Sequence, residues 1–118
     1  MHIYEYYNIY RLEIEMEHIY RTEPESFIEL AEILKALAHP QRLCIVKTLC
    51  EKDRLNVGDM QHCLGEAQAV VSQHLIKLKA SNIIVGKREG TNIYYSICDE
   101  RVRTLTQAVI NEFFSNEE

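Results

Sequence analysis

Apolar residues recur at helical spacing along most of the chain, and this pattern predicts five or six helices. The predicted helices cover residues 3–20, 22–37, 40–49, 57–64, 67–80 and 99–115. Two residues support these bounds, because Pro40 can occupy the first turn of a helix and Gly65 can end one. The first stripe is strongly aromatic, since four of the seven tyrosines lie in the first ten residues.

The hydrophobic period changes after residue 80. Two β-rich runs, residues 83–85 and 93–97, flank the polar stretch GKREGTN, in which Gly90 supplies a hairpin turn. The last helix begins at an acidic cap, Asp99. The pattern therefore predicts a mainly α-helical fold with one β-hairpin before the last helix, in a single domain covering residues 1–118.

Length and composition exclude several classes of protein. The 118 residues suffice for one modest core, and 4 Gly and 2 Pro are too few for a collagen-like or disordered chain. No apolar run approaches the roughly 20 residues that span a bilayer, and MHIYEYYNIY lacks the basic start and apolar stretch of a secretory signal. We therefore expect a cytoplasmic protein with no membrane partner, whose four cysteines are reduced.

The net charge of −5 argues on average against a nucleic-acid partner, but the charge is segregated along the chain. Residues 1–35 carry eight acidic and three basic side chains. Residues 68–88 carry no acidic side chain and four basic ones, namely Lys77, Lys79, Lys87 and Arg88. A locally basic strip can meet phosphate while the acidic remainder of the protein stays away from it.

The order of elements between residues 55 and 97 is typical of a winged helix-turn-helix. A short helix, a tight turn at Gly65 and an amphipathic helix precede a hairpin with a basic tip. In this motif the second helix enters the major groove and the hairpin reaches adjacent phosphates. We assign residues 55–80 to the helix-turn-helix and residues 83–97 to the wing. The outward face of the second helix offers groups that can bond base edges, namely Gln68, Ser72, Gln73 and Lys77.

Three stretches, LKALAHPQRLCIVKTL, LNVGDM and QAVVSQHLIKLKASNIIVGKREGTNIYYSI, together resemble the ArsR/SmtB-type family of small dimeric bacterial repressors. The resemblance covers residues 27–109, roughly two thirds of the chain. It implies a homodimer that binds a double-stranded DNA operator and releases it when an inducer arrives. The DNA-binding positions, from this match and from the helix face, are Gln68, Ala69, Ser72, Gln73, His74, Lys77, Lys87 and Arg88. His74 has an alternative role as a partly packed helix residue.

Dimer contacts are expected from the two ends of the chain. Residues 1–22 and 99–115 are predicted to be dimerisation helices, because a 118-residue monomer would struggle to cover their apolar stripes. The residues predicted at the interface are Tyr6, Tyr10, Ile14, Val102, Leu105, Val109 and Phe113.

One departure from the family pattern bears on DNA binding. The family commonly has a Leu-Ser pair before the recognition helix, and this chain has Glu66-Ala67. Loss of a serine cap typically costs about 1 kcal/mol, and Glu66 adds an acid near the DNA side. These residues leave open an alternative function, a protein-interaction module of the same fold with weak or no DNA binding.

The sensor sites that distinguish members of the family do not fit this chain. The zinc site of the last helix would place a cation, Arg101, in a ligand position. The thiolate site would need cysteines at Asn56 and Gly58, and the sulfide-type pair would need them near Lys47 and Phe114. The inducer is therefore left open.

The candidate sensor thiols lie elsewhere, at Cys44, Cys50, Cys63 and Cys98. Cys44 is expected to be a buried small hydrophobe, whereas Cys50, near Lys52 and Arg54, is the better candidate for a reactive thiolate. Thiolates with an imidazole such as His62 could hold a thiophilic ion, Zn(II), Cd(II), Cu(I) or As(III), if the fold brings them together. A packing role for most of the cysteines, or a different inducer, are the alternatives.

An enzyme is the competing class, because Cys63 beside His62 could suggest a nucleophile. Adjacent residues on a helix point about 100° apart, however. No G-x-S-x-G, phosphate-loop or metallohydrolase motif accompanies them. We therefore predict that the protein is not an enzyme.

Overall fold

The computed structural model describes residues 20–114, and predictions for residues 1–19 and 115–118 lie outside that range. Within it the chain forms five helices and a two-stranded antiparallel hairpin, and residues 20–22 are also helical. The elements are α1 (Pro24–Leu37), α2 (Pro40–Lys52), α3 (Val57–Leu64), α4 (Gln68–Ala80), β1 (Ile84–Glu89), β2 (Asn92–Ile97) and α5 (Glu100–Phe114). The predicted class, mainly α-helical with one hairpin before the last helix, is confirmed.

Capping residues determine where α2 and α3 begin. At the start of α2, Pro40 lies in the first turn and the backbone N–H of Gln41 donates a hydrogen bond to Nδ1 of His39 at 3.1 Å. At the start of α3, Asn56 and Asp59 form a capping box, in which each side chain accepts from the other's backbone N–H at 2.8 and 3.0 Å. Both starts therefore satisfy N–H groups that a helix leaves without a partner.

A tight turn joins α3 to α4. Gly65 ends α3 in the left-handed region, with φ at 65°, where a side chain would be strained. The chain then enters α4 through Ala67, which makes no side-chain capping bond. The first turn of α4 therefore lacks the side-chain cap that a serine would supply.

The core of residues 33–114 has apolar side chains from all of these elements. The most deeply buried members, with no exposure, are Val46, Leu49, Val71, Leu78 and Ile83. On α4, Val71, Leu75 and Leu78 face inward as the helical spacing predicts. Val70 is 37% exposed although it is next to Val71, because neighbouring residues on a helix point about 100° apart.

The hairpin is longer than predicted. Strand β1 continues through the charged stretch to Glu89, so the turn contains only Gly90 and Thr91. Gly86, which was expected in the turn, pairs with Tyr95 in β2. A Cβ atom at position 86 would lie 3.0 Å from Cε1 of Tyr95, so glycine leaves room for the buried ring. Packing of this ring favours a strand where the local polarity predicts a turn.

The polar stretch before α3 also joins the hairpin. Leu55 forms an antiparallel bridge with Tyr95, with N···O distances of 3.1 and 2.8 Å. Leu55 is buried in the core. The start of the helix-turn-helix is therefore hydrogen-bonded to the wing.

Helix α5 buries one of the residues that were predicted at the dimer interface. Val102 is 1% exposed and belongs to the core, so its assignment to the interface is wrong. Leu105 packs partly against the core, whereas Val109 and Phe113 are 42% and 83% exposed. The other predicted interface residues, Tyr6, Tyr10 and Ile14, lie outside the described residues.

The chain separates into two compact units, residues 1–32 and residues 33–118. In the described part of the first unit, the rings of Tyr20 and Phe27 contact each other with centroids 5.8 Å apart. The second unit contains the core, the α3–α4 pair and the hairpin. Between residues 20 and 114, no helix has the length and apolarity to cross a membrane.

Candidate nucleic-acid interface

The outward face of α4 is accessible and carries polar and basic side chains. Gln68, Ala69, Gln73 and Lys77 are exposed, and Ser72 is half-buried. Gln68 and Ser72 are four residues apart and therefore share one face of the helix. The opposite side of α4 is held in the core, so this face is the one that the helix presents to solvent.

A shallow concavity of about 520 Å³ lies between this face and the start of α2. Its lining consists of His39, Arg42, Ala69, Val70, Gln73, His74 and Lys77. Arg42 is half-buried, and its Nε donates to the carbonyl oxygen of Ala36 at 2.6 Å. Sequence analysis missed His39 and Arg42 here, although both lie in the HPQRL stretch that carries the family resemblance.

The structure corrects the assignment of His74 to DNA contact. Its side chain is 7% exposed, its Nε2 lies 2.9 Å from Oε1 of Gln41, and its ring centroid is 4.6 Å from that of His39. Burial, followed by the charges of His39 and Arg42, lowers the pKa of His74 below 6.5, so the ring is mainly neutral at pH 7. His74 takes the packed role that the sequence left as an alternative.

Glu66 is not the free acid that the sequence suggests. Its side chain is half-buried, and its Oε1 accepts a hydrogen bond from Nε2 of Gln41 at 2.8 Å. The carboxylate is therefore engaged within the protein, where it joins the turn before α4 to the first turn of α2.

The two cations of the wing lie on β1 and project to opposite faces of the hairpin. Lys87 pairs with Tyr94, and Arg88 pairs with Ile93. Because successive residues of a strand point to opposite sides, Lys87 and Arg88 flank the hairpin. Both side chains are exposed.

An ion pair connects the tip of the wing to the segment before α3. Nη1 and Nη2 of Arg54 donate to Oε1 and Oε2 of Glu89 at 2.9 and 2.8 Å. The guanidinium also lies 3.9 Å from the centre of the Tyr94 ring. The hydrogen bond from Arg54 lowers the pKa of Glu89, so this carboxylate is charged at neutral pH and paired within the protein.

Comparisons with known proteins agree with this geometry, although no protein-family model matches the chain. The chain is 38% identical over 98 residues to the nodulation protein NolR of Rhizobium meliloti, and the match covers 80% of each protein. It is 40% identical over 83 residues to the transcriptional repressor PagR of Bacillus anthracis, covering 70% of this chain and 83% of PagR. The PagR crystal structure matches with a TM-score of 0.68 over 74% of this chain and 99% of that chain.

A third match, at 28% identity, is the solution structure of Mb0332 from Mycobacterium bovis, an ArsR-family candidate described as a homodimeric winged helix-turn-helix DNA-binding domain. Its TM-score is 0.70, over 81% of this chain and 88% of that chain. This chain belongs to the ArsR/SmtB family of winged helix-turn-helix repressors. It is a DNA-binding transcriptional repressor, in which α3 and α4 form the helix-turn-helix and β1 and β2 form the wing.

The cysteines of this ArsR/SmtB repressor do not form a metal centre in the described residues. In residues 20–114, no three His, Cys, Asp or Glu side chains are arranged to hold a metal ion. All four thiols are free, with Cys44 and Cys50 half-buried and Cys63 and Cys98 exposed. A thiophilic metal as inducer stays a prediction.

Cys50 does not have the environment that its sequence neighbours suggest. Burial raises the pKa of its thiol, and this effect outweighs the opposing charge of Arg103. Cys50 lines a cavity of about 320 Å³ between α2 and α5 rather than an exposed basic surface. These surroundings disfavour the deprotonated form that reactivity requires, and the role of Cys50 as a reactive thiolate stays a prediction.

Proposed function

We propose that this repressor reads its operator with α4 in the major groove. The observation that carries the proposal is the accessible face of α4, where Gln68, Gln73 and Lys77 lie exposed without any acidic side chain on the helix. Gln can form a bidentate pair with adenine, and Ser72 can bond several bases. Lys77 adds a cation next to the same face.

The wing supplies the phosphate contacts in this proposal. Because Lys87 and Arg88 flank the hairpin, a wing that enters a groove presents one cation to each DNA backbone. The ion pair with Arg54 neutralises Glu89, the only acid of β1, which would otherwise repel those phosphates. The wing therefore contributes affinity that does not depend on sequence.

The repressor is proposed to act as a homodimer through α5 and in the cytoplasm, where its DNA target lies. Val109 and Phe113 are exposed apolar side chains on α5, and Mb0332, which has the same fold, is described as homodimeric. Sedimentation of Phe113→Ser should show a shift toward monomer. Ile76→Ser removes an equally apolar exposed side chain from α4 and should leave the dimer intact.

Operator release by an inducer is the second step of the proposal. The exposed thiols Cys63 and Cys98 are the sites at which a thiol-reactive inducer or a thiophilic ion would react first. Release of bound duplex should be screened with Zn(II), Cd(II), Cu(I), As(III), oxidants and persulfide, and a Cys63→Ser/Cys98→Ser variant should lose the response.

Selection of duplexes from a random-sequence library by the full chain tests operator reading directly. We expect enrichment of a two-fold symmetric site whose half-sites lie about 10 bp, or a multiple of that, apart. Binding to the selected duplex should fall steeply with salt, because each neutralised phosphate releases counterions. If no sequence is enriched and binding does not depend on salt, the proposal that α4 reads the operator is rejected.

A further inference from the structure

Gln41 connects three parts of the DNA-binding unit. Its backbone N–H donates a hydrogen bond to Nδ1 of His39 at 3.1 Å, at the start of α2. Its side-chain Nε2 donates to Oε1 of Glu66 at 2.8 Å, in the turn before α4. Its Oε1 lies 2.9 Å from Nε2 of His74, in the middle of α4. One amide therefore joins α2 to two points on either side of the first turn of the recognition helix.

The direction of each hydrogen bond in this link follows from its chemistry. A carboxylate only accepts, so Glu66 faces the Nε2 group of Gln41 and leaves Oε1 toward His74. Oε1 of an amide also only accepts, so Nε2 of His74 carries the proton and donates. Nδ1 of His74 is then the unprotonated nitrogen, and within residues 20–114 this buried atom has no hydrogen-bond partner. The link therefore requires a proton on Nε2, and in the neutral ring this is the Nε2–H tautomer.

Helix α4 has a specific need for such a link. Ala67 gives it no side-chain cap, so the turn before α4 is not held by the usual local bond. The apolar contacts of Val71, Leu75 and Leu78 bury the helix but are not directional. Hydrogen bonds are directional, so Gln41 restricts the rotation of α4 about its own axis. That rotation decides which side chains face the groove.

We propose that Gln41 is a positioning residue for operator recognition, which joins Glu66 to His74 and so sets the orientation in which α4 presents Gln68 and Gln73. This inference rests on the proposed function, in which the exposed face of α4 reads base edges. It also gives Glu66 a role in this chain, as the acceptor that orients the Gln41 amide.

Exchange of the two side chains tests the link. Gln41→Glu places a carboxylate against that of Glu66 and should weaken binding to the duplex selected by the wild-type chain by about tenfold. In Gln41→Glu/Glu66→Gln, the new carboxylate can accept from both the new amide and Nε2 of His74. This double variant has the wild-type net charge, so it controls for electrostatics and should restore the selected-duplex affinity to within about twofold of wild type.

Two further measurements separate positioning from folding. Gln41→Asn keeps the amide and the charge but is one carbon too short to reach both partners, so it should lose binding as Gln41→Glu does. Binding to a scrambled duplex should be unchanged in Gln41→Asn and in the double variant, which keep the wild-type charge, provided that their thermal unfolding stays cooperative, because phosphate contacts do not depend on the rotation of α4. The nitrogen chemical shifts of His74 should report a neutral ring protonated on Nε2 in the wild type.

The outcomes are distinct from those that test the function itself. If the wild-type chain selects no sequence, the proposed function fails before Gln41 is tested. If it selects a duplex that Gln41→Glu and Gln41→Asn bind equally well, Gln41 does not position α4. If the double variant binds as weakly as Gln41→Glu, the link to Glu66 is not what matters, and the inference is overturned.

Discussion

Arg54 and Glu89 form a two-point ion pair across 35 positions of the chain, with N···O distances of 2.9 and 2.8 Å. Arg54 precedes the helix-turn-helix, and Glu89 is the last residue of β1 before the wing turn. The pair lies on the same hairpin face as Lys87, because Arg54 also stacks on Tyr94, the partner of Lys87. A wing cation and a neutralised acid thus share one face.

Arg54→Gln should weaken binding to all duplexes by roughly two- to fivefold, because Glu89 becomes an unpaired carboxylate beside the phosphates. Arg54→Gln/Glu89→Gln should restore the affinity. Fluorescence anisotropy with selected and scrambled duplexes measures both. Arg101→Gln, the same change in an ion pair with Asp99 at the start of α5, is the matched control. A double variant that stays weak would show that Arg54 itself contacts phosphate.

Arg88→Ala and Lys87→Ala should each reduce the slope of log affinity against log salt by about one. The two reductions should add, since the side chains lie on opposite faces of the hairpin and would meet different phosphates. Lys47→Ala removes a cation from α2 that pairs with Glu51, and it should leave the slope unchanged. A loss confined to the selected duplex would instead mean that the wing reads bases.

Leu78→Ala should lower the free energy of unfolding by about 2–5 kcal/mol, because it opens a cavity at a fully buried site. Ile76→Ala, two residues earlier on the same helix and 65% exposed, should change it by about 0.5 kcal/mol or less. Urea unfolding of both variants measures the difference. Similar losses would contradict the orientation of α4 described above.

Stability should fall as the pH drops, and His74 should contribute to this. Its pKa is lowered in the folded chain from the usual 6.5, chiefly by burial, so the unfolded chain binds a proton first. The contribution of His74 to the free energy of unfolding is fully present above pH 6.5. It is lost as the pH falls toward the pKa of the folded chain. Urea midpoints at about pH 5 and about pH 7.5 should show this decrease.

His74→Gln should flatten that dependence, because a glutamine can still donate to Gln41 but does not titrate in this range. His62→Gln removes an exposed histidine from α3 and should retain the wild-type profile. If the two variants behave alike, other groups set the pH dependence.

Alkylation by iodoacetamide at about pH 7.5 should modify Cys63 about tenfold faster than Cys50. Cys63 is exposed, whereas burial both shields Cys50 and raises its pKa. Peptide mapping against time gives both rates in one sample. Equal rates would instead support Cys50 as the reactive thiolate.

Local signals predict most of the fold. Pro40 and Gly65 mark helix ends, and the acidic cap expected at α5 is present, since Oδ1 of Asp99 accepts from the N–H of Arg101 at 2.9 Å. The inward face of α4 also follows from its spacing. These features depend on residues a few positions apart, which is the range over which periodicity and capping act.

The remaining features depend on partners that are distant in sequence. The polar stretch around Gly86 becomes a strand because a ring from β2 lies against it, and Leu55 is buried because it pairs with Tyr95. His74 lies on the inward face by its spacing from Val71 and Leu78, but its hydrogen-bond partner, Gln41, is 33 positions earlier in the chain. No local pattern records such contacts, so the length of the wing and the hydrogen-bond partner of His74 could not be predicted from the sequence.

The bridge between Leu55 and Tyr95 determines where this repressor can be lengthened. An insertion between Gly90 and Thr91 falls beyond the last strand pair, between two exposed residues, and leaves the register of the hairpin intact. An insertion next to Leu55 would move it out of pairing with Tyr95 and detach the wing from α3. The fold therefore tolerates a longer wing turn, whereas the segment before α3 has a fixed length.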